Sequence, residues 1–286
     1  MNQGQCLCGT VRYEVDGPFA SMMNCHCSMC RKHHGAPYAT FVSAPLAGFR
    51  WVAGQDAISK FTTQSGGSRS FCQFCGSVTP ILLDDAGIVL CPAGNLDGDL
   101  GIKPQAHIFT GSKASWYEIT DSLPQHVEYP PEFGMSGVER PTVEPKEGVI
   151  QGSCLCGEVA FEIEGTPNRL MYCHCSRCRR ARSAAHGANL FFDPEQLRWL
   201  RGESLVKHYK DPTARFFAVS FCEKCGSGAP RANREHNVAF TPAGVLDTDP
   251  GIKPLARIFV GSKAGWLDLT DDVPRFDELP PRPPAR

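Results

Sequence analysis

The pattern of cysteines constrains this chain more than any other feature. The run NCHCSMCRK begins at Asn24, and YCHCSRCRR repeats its three-cysteine spacing from Tyr172, 148 residues later. The chain has fifteen cysteines, and most of them stand in C-x-C and C-x-x-C pairs. Such pairs fit reduced thiolates on a metal ion better than they fit disulfides. We therefore expect a protein organised around metal ions, with disulfides or redox pairs as the alternative.

A longer repeat divides the chain into two halves. The segment QGQCLCGTVRYEVDGP, from Gln3, matches QGSCLCGEVAFEIEGT, from Gln151. Near the end of each half, GIKPQAHIFTGSKASWYEITDSLP matches GIKPLARIFVGSKAGWLDLTDDVP. Residues 131–148 are rich in Pro, Gly and charge, which predicts a linker. We therefore expect two tandem copies of one globular domain, at residues 1–130 and 149–286.

Within each copy the hydrophobic pattern predicts short strands. In TVRYEVDG the apolar residues Val11, Tyr13 and Val15 alternate with polar ones, and EVAFEIEG repeats this alternation in the second copy. A period of two indicates a half-buried strand. In the first copy, only the residues near Ser28 to His34 suit a helical turn or two. The expected fold class is therefore mainly β, held together by metal.

Each half has seven cysteines in this pattern, and four of them suit a structural zinc ion. Structural zinc binds four thiolates in a tetrahedron, usually from two close pairs that the fold brings together. The early C-x-C pair and the later FCxxCGS pair of each half fit this role. These residues are Cys6, Cys8, Cys72 and Cys75 in the first half, and Cys154, Cys156, Cys222 and Cys225 in the second.

The other three cysteines of each half form a C-x-C-x-x-C motif. Three protein ligands and an open position are typical of catalytic zinc, so we expect about two zinc ions per half and four per chain. In the alternative, the site is purely structural and water, Asp97 or Asp247 fills the fourth position. The expected catalytic ligands are Cys25, Cys27 and Cys30, and then Cys173, Cys175 and Cys178.

Two histidines and one further cysteine are weaker candidates for ligands. His26 and His174 each stand between two of the motif cysteines, and we expect them beside the ligands or facing solvent, because adjacent side chains diverge. Cys91 corresponds to Thr241 in the other half. We therefore expect Cys91 to be a buried apolar thiol.

Basic residues follow each three-cysteine motif: Arg31 and Lys32, then Arg179 and Arg180. Nearby cations would keep the cysteines deprotonated and receive an anionic ligand. The alternative is that they only solvate a surface turn. Because an open zinc ion binds thiols and lowers their pKa, a small-molecule thiol is the expected ligand.

These motifs resemble the glutathione-dependent formaldehyde-activating enzyme family, which includes centromere protein V. The resemblance covers nearly all of both halves through GxCxCGxVxYEVxGP, CHCSxCRKxxGA, RxFCxxCGS and KPxxHIFxxSKAxWxxIxDxLP. It implies two Mss4-like zinc-binding β domains, each with a structural and a catalytic ion on the cysteines named above. It also implies carbon–sulfur lyase chemistry, in which glutathione and formaldehyde form S-hydroxymethylglutathione at the open zinc position.

Two other functions remain as alternatives: a non-catalytic zinc module that binds proteins, and a carrier or sensor of glutathione or another thiol. A net charge of -1 without a long Lys/Arg block argues against nucleic acid. The chain has no run of eighteen apolar residues, so we expect no membrane insertion. The start MNQGQCLCG lacks the pattern of a secretion signal, so we expect a cytoplasmic protein.

The second copy departs from the family motifs beside its ligands. Gly35, Arg69 and His107 become Ser183, Val219 and Arg257, respectively. All seven cysteines are kept in the second half. We therefore expect both ions there as well, and we expect the difference between the halves in the substrate pocket.

Overall fold

The computed structural model describes residues 1–63, 66–131 and 143–281, and short strands dominate both halves. Each half also has one seven-residue α-helix, α1 at Ser28–His34 and α2 at Ser176–Arg182. The predicted mainly β class and the helical turns after the third cysteine are therefore confirmed. The first-half strands are β1 Asn2–Gln5, β2 Arg12–Val15, β3 Ser21–Cys25, β4 Ala39–Pro45, β5 Phe49–Ala53, β6 Ile58–Thr62, β7 Ser68–Cys72, β8 Ile81–Leu83, β9 Ile88–Pro92 and β10 Ala106–Ile108. The second-half strands are β11 Val149–Ser153, β12 Ala160–Glu164, β13 Arg169–Cys173, β14 Gly187–Phe192, β15 Leu197–Arg201, β16 Val206–Lys210, β17 Ala218–Cys222, β18 Arg231–Asn233, β19 Val238–Pro242 and β20 Pro254–Ile258.

The strands of the two halves form the same three sheets. In the first half the orders are β1-β2-β5, β10-β3-β4-β9-β8 and β6-β7, and the second half repeats them with β11 to β20. Neighbouring strands are antiparallel except for β10 on β3 and β20 on β13. In the described part of the chain, no helix has the length and apolar character needed to cross a bilayer. The repeated topology confirms that the halves are copies of one fold.

The predicted alternation of buried and exposed residues describes β2 better than β12. Tyr13 and Val15 of β2 are buried, and Glu14 between them is only partly covered. In β12 the side chain of Glu162 is also fully buried, because Lys146 and Arg198 bind its carboxylate. The prediction of a half-buried strand is therefore wrong for β12, where the half-exposed side chains of Lys146 and Arg198 cover the carboxylate of Glu162.

One hydrophobic core runs through both halves. At its centre, the ring of Tyr117 lies 6.4 Å from that of Tyr172, and the ring of Tyr38 lies 6.0 Å from that of His186. Both distances are in the range of favourable aromatic packing. The halves therefore pack as one body, while the boundaries at 130 and 149 stay a prediction. Within the predicted linker, residues 132–142 lie outside the described residues.

Contacts between the halves occur in reciprocal pairs, as they do across a two-fold axis. A Cβ on Gly76 would lie 2.6 Å from the ring of Phe221, and a Cβ on Gly226 would lie 2.4 Å from the ring of Phe71. Such i-to-j and j-to-i contacts define an isologous interface. The chain is thus a covalently joined pair in which the two copies share one internal interface.

Candidate metal centres

Two clusters of four cysteines form where the early and late pairs of each half meet. All sulfur atoms within a cluster lie within 4.8 Å of one another. In the first half, Gly76 takes a φ of 74° and donates its N–H to the carbonyl of Cys72, which closes the turn of the later pair. This backbone conformation favours glycine. The structure thus brings together the two predicted sets, Cys6, Cys8, Cys72 and Cys75, and Cys154, Cys156, Cys222 and Cys225.

The spacing of the sulfur atoms fits a tetrahedral metal ion. Zinc–sulfur bonds of about 2.3 Å in a tetrahedron place sulfur atoms about 3.8 Å apart. The sulfur atoms of Cys8 and Cys72 are 3.7 Å apart, and those of Cys156 and Cys222 are 3.8 Å apart. Within each C-x-C pair the sulfur atoms are closer, at 3.3 Å, which is still much longer than a disulfide bond. All fifteen cysteines lie in the described residues as free thiols. The geometry therefore favours metal binding over the disulfide alternative.

The three-cysteine clusters form where a strand meets the short helix. Cys25 ends β3, Cys27 caps the N-terminus of α1, and Cys30 lies in its first turn. The sulfur of Cys27 accepts a hydrogen bond from the N–H of Cys30 at 3.3 Å. This capping contact satisfies a backbone donor of the first turn and fixes the orientation of the sulfur. The same arrangement in the second half brings together Cys173, Cys175 and Cys178.

The middle cysteine of each three-cysteine cluster is the most acidic of the three. Hydrogen bonds from Cys173 and Cys178 lower the pKa of Cys175 to about 3. Hydrogen bonds from Cys25 and Cys30 likewise hold the pKa of Cys27 well below its usual value. Each cluster thus already favours a thiolate at its centre, and thiolates are the form of cysteine that binds metal.

The histidines inside the motifs point away from the sulfur atoms. His26 is fully buried, and its Nε2 lies 2.8 Å from Nδ1 of His107, whose Nε2 contacts Asp121 at 3.0 Å. His174 is buried in the same way, with Nε2 at 3.1 Å from Nη1 of Arg257. Of the two placements expected for these histidines, the solvent-facing one is therefore wrong. Their burial in the core next to the cysteines agrees with the other placement, beside the ligands.

Among the described residues, no histidine or carboxylate joins either three-sulfur group. Asp97 and Asp247, the predicted candidates for the fourth position, instead form ion pairs. Asp97 binds Arg180, and Asp247 binds Lys32, each across the interface between the halves at 2.5 Å. The alternative in which these aspartates complete the sites is therefore wrong.

These ion pairs also revise the role expected for the basic residues. Lys32 and Arg180 hold the halves together, and Lys32 is buried, so the surface-turn alternative does not describe it. Arg31 stays close enough to Cys27 for the thiolate charge to oppose the effect of burial, which lowers the pKa of Arg31.

Cys91 lies in the shared core with its pKa raised by burial, so the expected apolar thiol is confirmed.

Aromatic residues that the motifs did not identify cover both three-cysteine clusters. Phe109 and Tyr129 pack against the first cluster, with their rings 4.6 Å apart. Phe259 and Phe276 pack against the second. Phe109 and Phe259 take φ values of 58° and 57°, which bulky residues rarely adopt. Phe109 and Phe259 could have been identified from the dipeptide Ile-Phe, which is present in both halves. No sequence pattern predicted the position of Tyr129.

The surroundings of the second three-cysteine cluster differ from those of the first. Val219 replaces Arg69, whose positive charge helps to lower the pKa of Cys27. Ser183 takes the left-handed conformation of the glycine that it replaces, with a φ of 50°. Arg257 takes over the contact to the motif histidine and binds Asp271. The predicted differences thus occur beside the ligands and behind them.

The fold and the sites together define a class of protein: two mainly β copies of one domain, with two four-sulfur and two three-sulfur clusters that could hold metal ions. The sequence profile described as "Glutathione-dependent formaldehyde-activating enzyme" matches residues 1–112 and 149–262. The chain therefore belongs to this family. A protein from Rhodobacter sphaeroides with a crystal structure shares 27% identity over 34% of this chain and 89% of its own, with a TM-score of 0.30. No curated protein matches the chain.

Proposed function

We propose that this protein is a zinc-dependent carbon–sulfur lyase that acts on the adduct of a thiol with formaldehyde or a related small aldehyde. The observation that supports this most is the three-sulfur cluster, which no other ligand completes among the described residues. The family name supports glutathione and formaldehyde as the thiol and the aldehyde. Fifteen free cysteines suit a reducing compartment, so we propose a cytoplasmic location.

In this proposal the residues of each half divide the work between two ions. The four-cysteine clusters hold structural zinc, while Cys25, Cys27 and Cys30, with Cys173, Cys175 and Cys178, hold the catalytic ions. When bound there, zinc supplies a Lewis acid that lowers the pKa of a thiol at the open position. Phe109 and Tyr129 restrict water around the first site. In the reaction a carbon–sulfur bond forms, the carbonyl π bond breaks, and the thiol proton passes to the aldehyde oxygen.

A second candidate function is a thiol carrier or sensor that does not accelerate the reaction. Among the described residues, no histidine or carboxylate joins the sulfur atoms of these clusters to act as a general base. This absence favours the carrier or sensor. The addition of a thiol to formaldehyde needs little help. Binding without catalysis is therefore chemically sufficient for this candidate.

One experiment separates the two functions. We expect about four zinc ions per chain, two of which exchange more readily with a chelator. In protein substituted with cobalt, glutathione should change the visible spectrum of the three-cysteine sites if its sulfur binds there. Exchange between formaldehyde and its glutathione adduct, followed by NMR, should then be faster with the protein than without it. A spectral change without faster exchange would favour the carrier, and four inert ions with no spectral change would contradict both.

A further inference from the structure

The helix that carries the first three-cysteine site is attached to the other half of the molecule. The ammonium group of Lys32 in α1 donates to the carbonyl of Ser153 at 2.8 Å and to its hydroxyl at 2.6 Å. It also pairs with Asp247 at 2.5 Å, and the side chains of this pair are only 11% and 12% exposed. Ser153 in turn donates to Asp247 at 2.6 Å. This network is closed and nearly dry, so loss of one member leaves the others unsatisfied.

The surface to which α1 attaches is the four-cysteine cluster of the second half. Ser153 directly precedes Cys154, the first cysteine of that cluster. Nδ1 of His33 lies 3.1 Å from the carbonyl oxygen of Cys225, the last one. The side chain of Met29, between Cys27 and Cys30 in sequence, packs against the same cluster. Three side chains on one side of α1, those of Met29, Lys32 and His33, thus contact the segments that carry the four cysteines of the opposite half.

The second helix has the reciprocal arrangement, but with weaker contacts. Arg180 pairs with Asp97 of the first half, and the two side chains are 25% and 51% exposed. When the side-chain amide of Gln5 is oriented with its oxygen towards Arg180, that oxygen accepts a hydrogen bond from Nη1 of Arg180 at 3.0 Å. Gln5 directly precedes Cys6. The counterpart of His33 is Ala181, which has no side-chain hydrogen bond to offer. The crossed attachment is therefore stronger for α1 than for α2.

We infer that the four-cysteine centre of the second half positions the three-cysteine centre of the first half, through Lys32, His33 and Asp247. A helix of seven residues is too short to be stable alone, so its direction depends on what it packs against. That direction sets the distance from Cys30 on the helix to Cys25 on β3. The attachment to the second half therefore determines whether the three sulfur atoms stay close enough to share an ion. Lys32 and Asp247 are positioning residues, since neither joins the sulfur cluster.

The inference rests on the proposed metal sites, and a crossed pair of variants tests it. In zinc-loaded full-length protein, Asp247→Asn should speed the alkylation of Cys25, Cys27 and Cys30 by iodoacetamide about tenfold, as loss of supporting contacts commonly does for metal affinity. The matched variant Asp97→Asn should expose Cys173, Cys175 and Cys178 instead, with a smaller change. Mass spectrometry of the labelled peptides identifies the site, and zinc retained against a chelator gives a second measurement.

Further variants keep the test decisive if Asp247→Asn folds poorly. Lys32→Met removes the same ion pair from the other side and should give the same labelling pattern. Lys32→Arg should retain protection, because the chain itself uses Arg180 at this position of α2. Three results would overturn the inference: labelling that rises in the half that carries the Asp variant, labelling that rises equally at all cysteines, or labelling that does not rise. A wild-type protein that holds no metal would instead contradict the proposed function.

Discussion

A very close approach between the halves, at Gly244, gives a quantitative test of the structure. Gly244 lies in the turn after β19, where a Cβ would stand 2.4 Å from the backbone nitrogen of Ala36 and 2.4 Å from the carbonyl oxygen of Arg31. Both atoms belong to the C-terminal end of α1 or the residues just after it. They are backbone atoms, so no side-chain rotation relieves the contact. Gly244→Ala therefore forces α1 away from the second half.

The size of this displacement follows from the distances. Ordinary van der Waals contact with a Cβ begins at 3.4 Å, so the added methyl group is about 1 Å too close. Overpacking of this kind costs about 3 kcal/mol at the upper end of its usual range. For a chain of 286 residues that unfolds as one body, this cost should lower the midpoint of thermal unfolding by about 5 °C.

Urea unfolding at a fixed zinc concentration measures this cost, because metal binding itself adds to the apparent stability. Gly265→Ala is the matched control, since a Cβ at Gly265 meets nothing within 4 Å and its φ is not in the left-handed region. That control should be neutral or gain about 0.4 to 1 kcal/mol, because alanine restricts the unfolded chain. If Gly244→Ala behaved like Gly265→Ala, the close packing of α1 on the second half would be refuted.

Two further predictions concern the ligands and the buried carboxylate. Cys27→Ala should release one zinc ion and reduce thiol-dependent activity, while the circular dichroism spectrum stays native. Cys72→Ala should instead unfold the first half, because structural zinc contributes folding free energy directly. Equal losses of thermal stability in the two variants would contradict this division. A hydrogen bond from Lys146 lowers the pKa of Glu162 below its usual 4.5, against the effect of burial. The stability from this group is therefore present above pH 4.5 and lost as the pH falls through the lowered value. Glu162→Gln should flatten the acid side of the stability curve measured in urea, and an unchanged slope would disagree.

The cysteine pairs that make up the clusters could be predicted from the sequence, because each pair depends on local geometry. A C-x-x-C turn brings two sulfur atoms together whatever surrounds it, and the repeated spacing showed which pairs belong to one half. Helix α1 was predicted at its observed bounds because the motif ends in a short run before Gly35, whose φ of 62° ends the helix. Each cysteine pair and the helix need only a few neighbouring residues, whereas the assignment of an early and a late pair to one ion rested on the four thiolates that structural zinc binds.

The features that the sequence did not predict depend on partners outside the local sequence pattern, either across the interface between the halves or within one half. Nothing in the local pattern distinguishes a lysine that solvates a turn from Lys32, which pairs with Asp247 more than two hundred residues away. The burial of His26 could not be predicted, because its partner, His107, is brought close only by the parallel pairing of β10 with β3. Burial of Glu162 likewise required knowledge of Lys146 and Arg198. In each case an ionic or polar partner distant in sequence decided the environment.

The joined pair also explains how the two three-cysteine sites can differ while every proposed ligand is kept. In a dimer of identical chains a substitution appears at both ends of the interface, but here each end can change alone. At the end of α1, a Cβ on Gly35 would lie 2.8 Å from Pro242, so glycine is required there by space as well as by φ. At the end of α2, Ser183 bears the strain of a left-handed φ, about 1 kcal/mol, and its hydroxyl donates to the carbonyl of Val78 at 3.1 Å in the other half. The two helices therefore dock through different contacts, although the spacing of the three cysteines is the same in both halves.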